Sequence, residues 1–141
     1  MNTKFTRTNK RGVELLRYIA EIILEEPKRF EIRIAQSFGQ PGTRLVDNSY
    51  RIEYPECGTV ACIAGWADIL ANGTQEETDW YTVKHRARQL LGLSSIGTEQ
   101  LFHLQFWDEP FRSQYKKANK LRRAKIAAKY IEHFIEKNRL T

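Results

Sequence analysis

Apolar positions recur along this chain with two different periods. Leu15, Leu16, Ile19, Ile22 and Ile23 fall at three- and four-residue spacings, which predicts a helix over roughly residues 10–26 that Pro27 ends. From Phe30 the period drops to two. Phe30, Ile32 and Ile34 alternate with Glu31 and Arg33, and Tyr50, Ile52 and Tyr54 alternate with Arg51 and Glu53. Both stretches read as short strands, and the turn signals Gly39, Pro41, Gly42 and Asp47-Asn48 between them predict a minor two-stranded β-ribbon.

Helical spacing returns in ECGTVACIAGWADILANG, residues 56–73. It predicts a helix from Thr59 to Ala71, with Ile63, Trp66, Ala67 and Leu70 on its apolar face and Asn72-Gly73 closing it. Gly58, Ala61 and Gly65 line a neighbouring strip where another backbone could approach closely. A further helix is expected over WYTVKHRARQLL, residues 80–91, closed by Gly92, and a short one over residues 98–103 with Thr98 as its cap. Trp107, Pro110, Phe111 and Tyr115 then read as an aromatic connector that pins the last helix, about residues 119–138, to the core. In that helix Leu121, Ala124, Ala128, Ile131 and Ile135 are expected to face inward, and Arg122, Lys125 and Lys129 to form a solvent stripe. The pattern as a whole predicts a mainly α single domain over residues 1–141, a bundle of about five to six helices with the β-ribbon as a minor addition.

Composition changes this picture little. With 141 residues, 41% hydrophobic and 28% charged, the chain is ordinary for a globular domain. It contains no run of about eighteen apolar residues, and MNTKFTRTNKRGVE lacks the apolar segment of a signal peptide, so the expected location is the cytoplasm with no membrane partner. Charge changes it more. The net charge is +6, but residues 1–12 carry Lys4, Arg7, Lys10 and Arg11 without an acid, and residues 112–141 carry ten Lys or Arg against Glu132 and Glu136. The middle of the chain is correspondingly acidic. Two basic ends around an acidic centre predict an anionic partner met by the ends: a nucleotide, a nucleic acid or an acidic protein surface.

The candidate ligand-binding residues are therefore Lys116, Lys117, Lys120, Arg122, Arg123, Lys125 and Lys129. Tyr115 joins them as a stacking platform, and Tyr130 lies amid the same charge. Positive charge at the start of a helix opposes the helix dipole, which makes an external role for it more attractive. No helix-turn-helix, zinc-finger or RNP signature accompanies the charge, so any nucleic-acid contact is expected to be sequence-tolerant.

The chemical alternative centres on the cysteines. Cys57 ahead of a helix would feel the unpaired N–H groups that stabilise a thiolate, and with His85 it makes a minimal cysteine-hydrolase pair. The three histidines, His85, His103 and His133, all fall in helical segments, whereas papain-like enzymes supply theirs from a sheet. Cys57 and Cys62 within one helix would lie roughly 7.5 Å apart along its axis, too far for a disulfide, and no second ligand pair follows to complete a zinc site. No metal and no cofactor are expected. A buried role is the plainer reading of both thiols.

CGTVACIAGWA, then LLGL at 90–93, LF at 101–102, Trp107 with Pro110, and AAKYIEHFI at 127–135 together resemble a set of small uncharacterised bacterial and phage proteins. Their shared pattern is approximately CGTxxCxAG[HW]A followed by LGL, LF and W-P elements. The resemblance covers about residues 55–135, and where relatives have histidine after AG this chain has Trp66, which argues against a metal or acid/base role there. It implies an α-rich cytoplasmic protein from a phage or mobile element, of the size that binds a host component such as a defence protein or a nucleotide signal. The expectation is a non-catalytic binding protein, with a cysteine hydrolase using Cys57 as the alternative and a homo-oligomer left open.

Overall fold

The computed structural model describes residues 7–32, 36–38, 45–46, 49–51, 59–73 and 77–140. Six α-helices carry most of them: α1 (Gly12–Glu25), α2 (Ile63–Asn72), α3 (Trp80–Leu91), α4 (Ser95–Phe102), α5 (Phe111–Lys117) and α6 (Lys120–Lys137). The protein is mainly helical, as its apolar periodicity predicts. Five short strands also occur: β1 (Gln36–Phe38), β2 (Leu45–Val46), β3 (Ser49–Arg51), β4 (Thr59–Ala61) and β5 (Glu77–Asp79). β1 pairs antiparallel with β4, and β2, β3 and β5 form a second antiparallel set in that order.

The strand pairing corrects the expected ribbon. Among the described residues the segments starting at Phe30 and Tyr50 do not pair with each other: Phe30 makes a single parallel bridge to Ala61, and Tyr50 sits in β3 opposite Leu45 and Thr78. Ile32 lies in a turn, and Ile34, Ile52 and Tyr54 fall outside the described residues. Because Thr59–Ala61 pairs with β1, the expected helix from Thr59 begins later, at Ile63. Cys62 is its N-cap, its Sγ accepting from the Gly65 N–H at 3.4 Å.

Every residue from Ala61 to Ala71 is buried. A helix buried on every side has no solvent face to present, so α2, apolar except for Asp68 and its terminal Asn72, becomes the centre of the core. Trp66 is fully buried and its indole N–H donates to the Arg29 carbonyl at 3.0 Å, satisfying the one polar atom of a large apolar side chain. Gly73, with φ at +79°, ends the helix as the sequence predicts. Around this centre α1 packs on α6 and α2 on α3, with α1 also touching α2 and α3.

A second aromatic nucleus joins α4, α5 and α6. Trp107 stacks on Tyr130, ring centroids 4.4 Å apart, and meets Tyr115 edge-on at 5.3 Å. The Trp107 indole donates to the Leu101 carbonyl, and the Tyr130 hydroxyl to that of Gln100. The expected connector thus contains a helix, α5, whose Tyr115 does the pinning. Two smaller expectations also change. Ser94, not Thr98, caps α4, accepting from the Gly97 N–H at 3.0 Å, while the Thr98 hydroxyl donates back to the Ser94 carbonyl. Leu121, expected to face inward, is 52% exposed, whereas Ala124, Ala128, Ile131 and Ile135 are buried as expected.

Candidate anion-binding surface

The basic residues near the C-terminal end divide into two groups by what they touch. Arg112 pairs with Glu109 at 3.0 Å, and Lys137 with Asp108 at 2.8 Å. His133 shares that carboxylate at 2.8 Å, and hydrogen bonds from Lys137 and then His133 hold the Asp108 carboxyl below the usual aspartate range. These charges are compensated inside the protein. Lys116, Lys117, Lys120, Arg122, Lys125 and Lys129 are exposed, and among the described residues none of the six is ion-paired.

Local structure places this second group. Lys116 and Lys117 occupy the last turn of α5, where a helix C-terminus favours cations. Asn119 caps α6, its side-chain oxygen accepting from the Arg122 N–H at 3.0 Å, and so starts a new helix immediately after the first one stops. The first turn of α6 then carries Lys120, Arg122 and Arg123 at an end whose dipole repels them. Arg122, Lys125 and Lys129 follow at three- and four-residue spacing on the solvent side, so the stripe is continuous.

Two residues leave the set expected from sequence. Tyr115 is 2% exposed, enclosed by Phe30, Trp107 and the Arg123 guanidinium 5.0 Å above its ring, so no base can stack on it. Tyr130 is likewise buried, with Trp107 against its face. Arg123 stays at the corner, but its Nε donates to the Tyr115 carbonyl at 3.1 Å. It ties α5 to α6 and offers only part of its charge outward.

The nucleophile alternative turns on Cys57, so the buried Cys62 does not test it. Burial pushes the Cys62 thiol up to about 11, the opposite of activation. Cys57 lies outside the described residues, and His85 is an exposed residue on α3. His103 sits between Lys84, at 3.2 Å, and Glu99, at 3.6 Å. Its pKa is depressed by burial and by the Lys84 charge. Among the described residues no three His, Cys, Asp or Glu side chains converge as metal ligands, and no helix is long and apolar enough to cross a membrane.

Asp68 was passed over by the sequence pattern. It is a fully buried acid in α2, accepting from Asn72 Nδ2 at 2.8 Å and from Arg86 Nη1 at 3.3 Å. The signal that could have found it is a lone carboxylate inside an otherwise apolar helix, since a buried charge demands a partner. No family model, curated protein or solved structure matches the chain.

Proposed function

We propose that the protein is a non-catalytic binder of an extended anion, most simply a nucleic-acid backbone, through the exposed face of Lys116, Lys117, Lys120, Arg122, Lys125 and Lys129. The observation that carries this reading is the concentration on α5 and α6 of six exposed cations that are not ion-paired among the described residues, lying between Arg112 and Lys137, which are. From Lys120 to Lys129 the stripe runs about 14 Å at the helical rise, long enough to meet several phosphates and too long for a single one. With Tyr115 and Tyr130 enclosed, contact is through charge alone, and binding is tolerant of sequence. A phage or mobile-element setting, in which the protein would counteract a host system by occupying such a partner, rests on the sequence resemblance alone.

The test is fluorescence anisotropy of labelled mixed-sequence single strands, duplexes and poly-glutamate across a salt series. Nucleic-acid affinity should fall linearly on a log–log plot with salt, and Arg122→Glu with Lys125→Glu should abolish it. Salt-independent binding, or binding indifferent to those substitutions, would overturn the reading.

A further inference from the structure

A second polar site lies on α1, α2 and α3, independent of the basic stripe. Arg11, Asn72, Arg86, Gln89 and Leu90 line an open groove of about 570 Å³. That is a volume within the range of small-ligand sites. Two guanidinium groups and two carboxamides make up most of its wall, so it is a polar recess with little apolar surface for a core-like contact.

What distinguishes this groove from an accidental surface dip is the acid behind it. Asp68 is completely buried, and it holds one wall residue with each carboxylate oxygen: Asn72 through Oδ1 at 2.8 Å and Arg86 through Oδ2 at 3.3 Å. Arg86 engages Asp68 by one nitrogen, not as the two-pronged fork a guanidinium can form, and its side chain remains 35% exposed. Its other donors are left for the open side. Asn72 spends an amide hydrogen on Asp68 and keeps its carbonyl oxygen for the groove. Arg11 approaches from the start of α1, with Nη1 on the Lys10 carbonyl at 2.7 Å. Arg7 reaches the edge, where Nη2 donates to the Ala71 carbonyl at 3.2 Å.

Arg11 and Arg86 line the groove with Arg7 beside it, and against the carboxylates of Asp68 and of Asp79, which feels the Arg86 charge, they leave a surplus of one positive charge, with Arg7 and Arg11 exposed. A guanidinium pre-oriented from behind by a buried carboxylate has lost less freedom on binding and matches the oxygens of a tetrahedral anion. We propose that this groove binds an organic phosphate monoester, its phosphate between Arg11 and Arg86, and its organic part beside Leu90 with Asn72 and Gln89 supplying hydrogen bonds.

The experiment is a titration of the full chain with a nucleoside 5′-monophosphate and with the unphosphorylated nucleoside, followed by calorimetry and by amide NMR shifts. The monophosphate should bind with Kd below about 1 mM, and move the amides of residues 71–73 and 86–90; the nucleoside should not. Arg11→Glu and Gln89→Glu, both exposed, should each weaken binding by at least about tenfold without changing the melting temperature. Arg86→Lys, which keeps the charge beside Asp68 and loses the planar fork, should do the same. Arg122→Glu on the stripe should leave this affinity unchanged. Absence of binding by the wild-type chain, shifts confined to residues 116–129, or full affinity in Arg11→Glu and Gln89→Glu would each overturn the assignment. In those cases Arg86 serves only to neutralise Asp68.

Discussion

The arginines at the end of α2 and the lysines of α5 and α6 carry the same sign of charge and stand in opposite relations to the rest of the molecule. Arg7 donates to a helix-end carbonyl, and Arg86 compensates a buried carboxylate. Removing either charge disturbs the protein's own structure. Lys116, Lys117 and the cations at the start of α6 meet no acid among the described residues, and those at the head of α6 stand against the helix dipole. They contribute little to folding, and some of them oppose it. A count of charges along the chain cannot distinguish these situations, because what separates them is the acceptor within reach after folding.

The contrast can be broken most directly at Arg86. Arg86→Ala removes the cation paired with the buried Asp68, and because Arg86 is itself partly exposed this should cost up to about 3 kcal/mol in a urea titration. Replacing both partners, Asp68→Leu with Arg86→Met, should recover much of that loss, because two apolar groups need no compensation. A double variant as unstable as Arg86→Ala would show that the other bonds of Asp68, such as that from Asn72, outweigh its pairing with Arg86.

Charge reversal on the stripe should produce the converse result. Arg122→Glu, Lys125→Glu and Lys129→Glu should each change stability by no more than about 0.5 kcal/mol. The same variants should lower polyanion affinity, and each phosphate contact removed should make the salt slope shallower by about one. A cooperative loss of stability would place these residues in the structural group with Arg86.

A smaller effect separates the compensated end of α6 from its bare start. Asp108 has its carboxyl pKa depressed by Lys137 and His133 in the folded chain. The stabilisation from that cluster is therefore complete above the ordinary aspartate pKa and is lost as pH falls through the lower folded value. Because Lys137 is half-exposed, the amount is about 1 kcal/mol or less. Melting temperatures of wild type and Asp108→Asn should differ near neutral pH and converge once the pH has fallen below the lowered folded pKa of Asp108. The smallest change is expected from Leu121→Gln. At 52% exposure it should alter stability by less than about 0.5 kcal/mol, whereas Ala124→Leu at a fully buried position should cost about 1–3 kcal/mol by overpacking.

Much of the helical framework was legible in local pattern. Pro27 and Gly92 stop helices where they are expected to, and α3 spans the residues its periodicity predicts, because each signal acts within one turn of the chain. The start of α2 was not legible. Thr59–Ala61 has residues that suit a helix or a strand, and its pairing with Gln36–Phe38 decides between them. Tyr115 illustrates the same limit at the candidate site. A tyrosine among lysines satisfies the pattern of a stacking platform, and only the arrival of Phe30 and Trp107 from other parts of the chain turns it into a buried anchor.

The sequence by itself determined the mainly α class, the helix-forming segments and the spacing that places Arg122, Lys125 and Lys129 on one stripe, since these follow from backbone geometry over a few residues. Tertiary structure alone decided which charges are compensated. Asp68 meets Arg86 across 18 residues of chain, and Asp108 meets Lys137 across 29, while Lys120 to Lys129 meet no acid among the described residues. Coulombic and hydrogen-bond partnership depends on distances of a few ångströms, and those distances are set only when the helices pack.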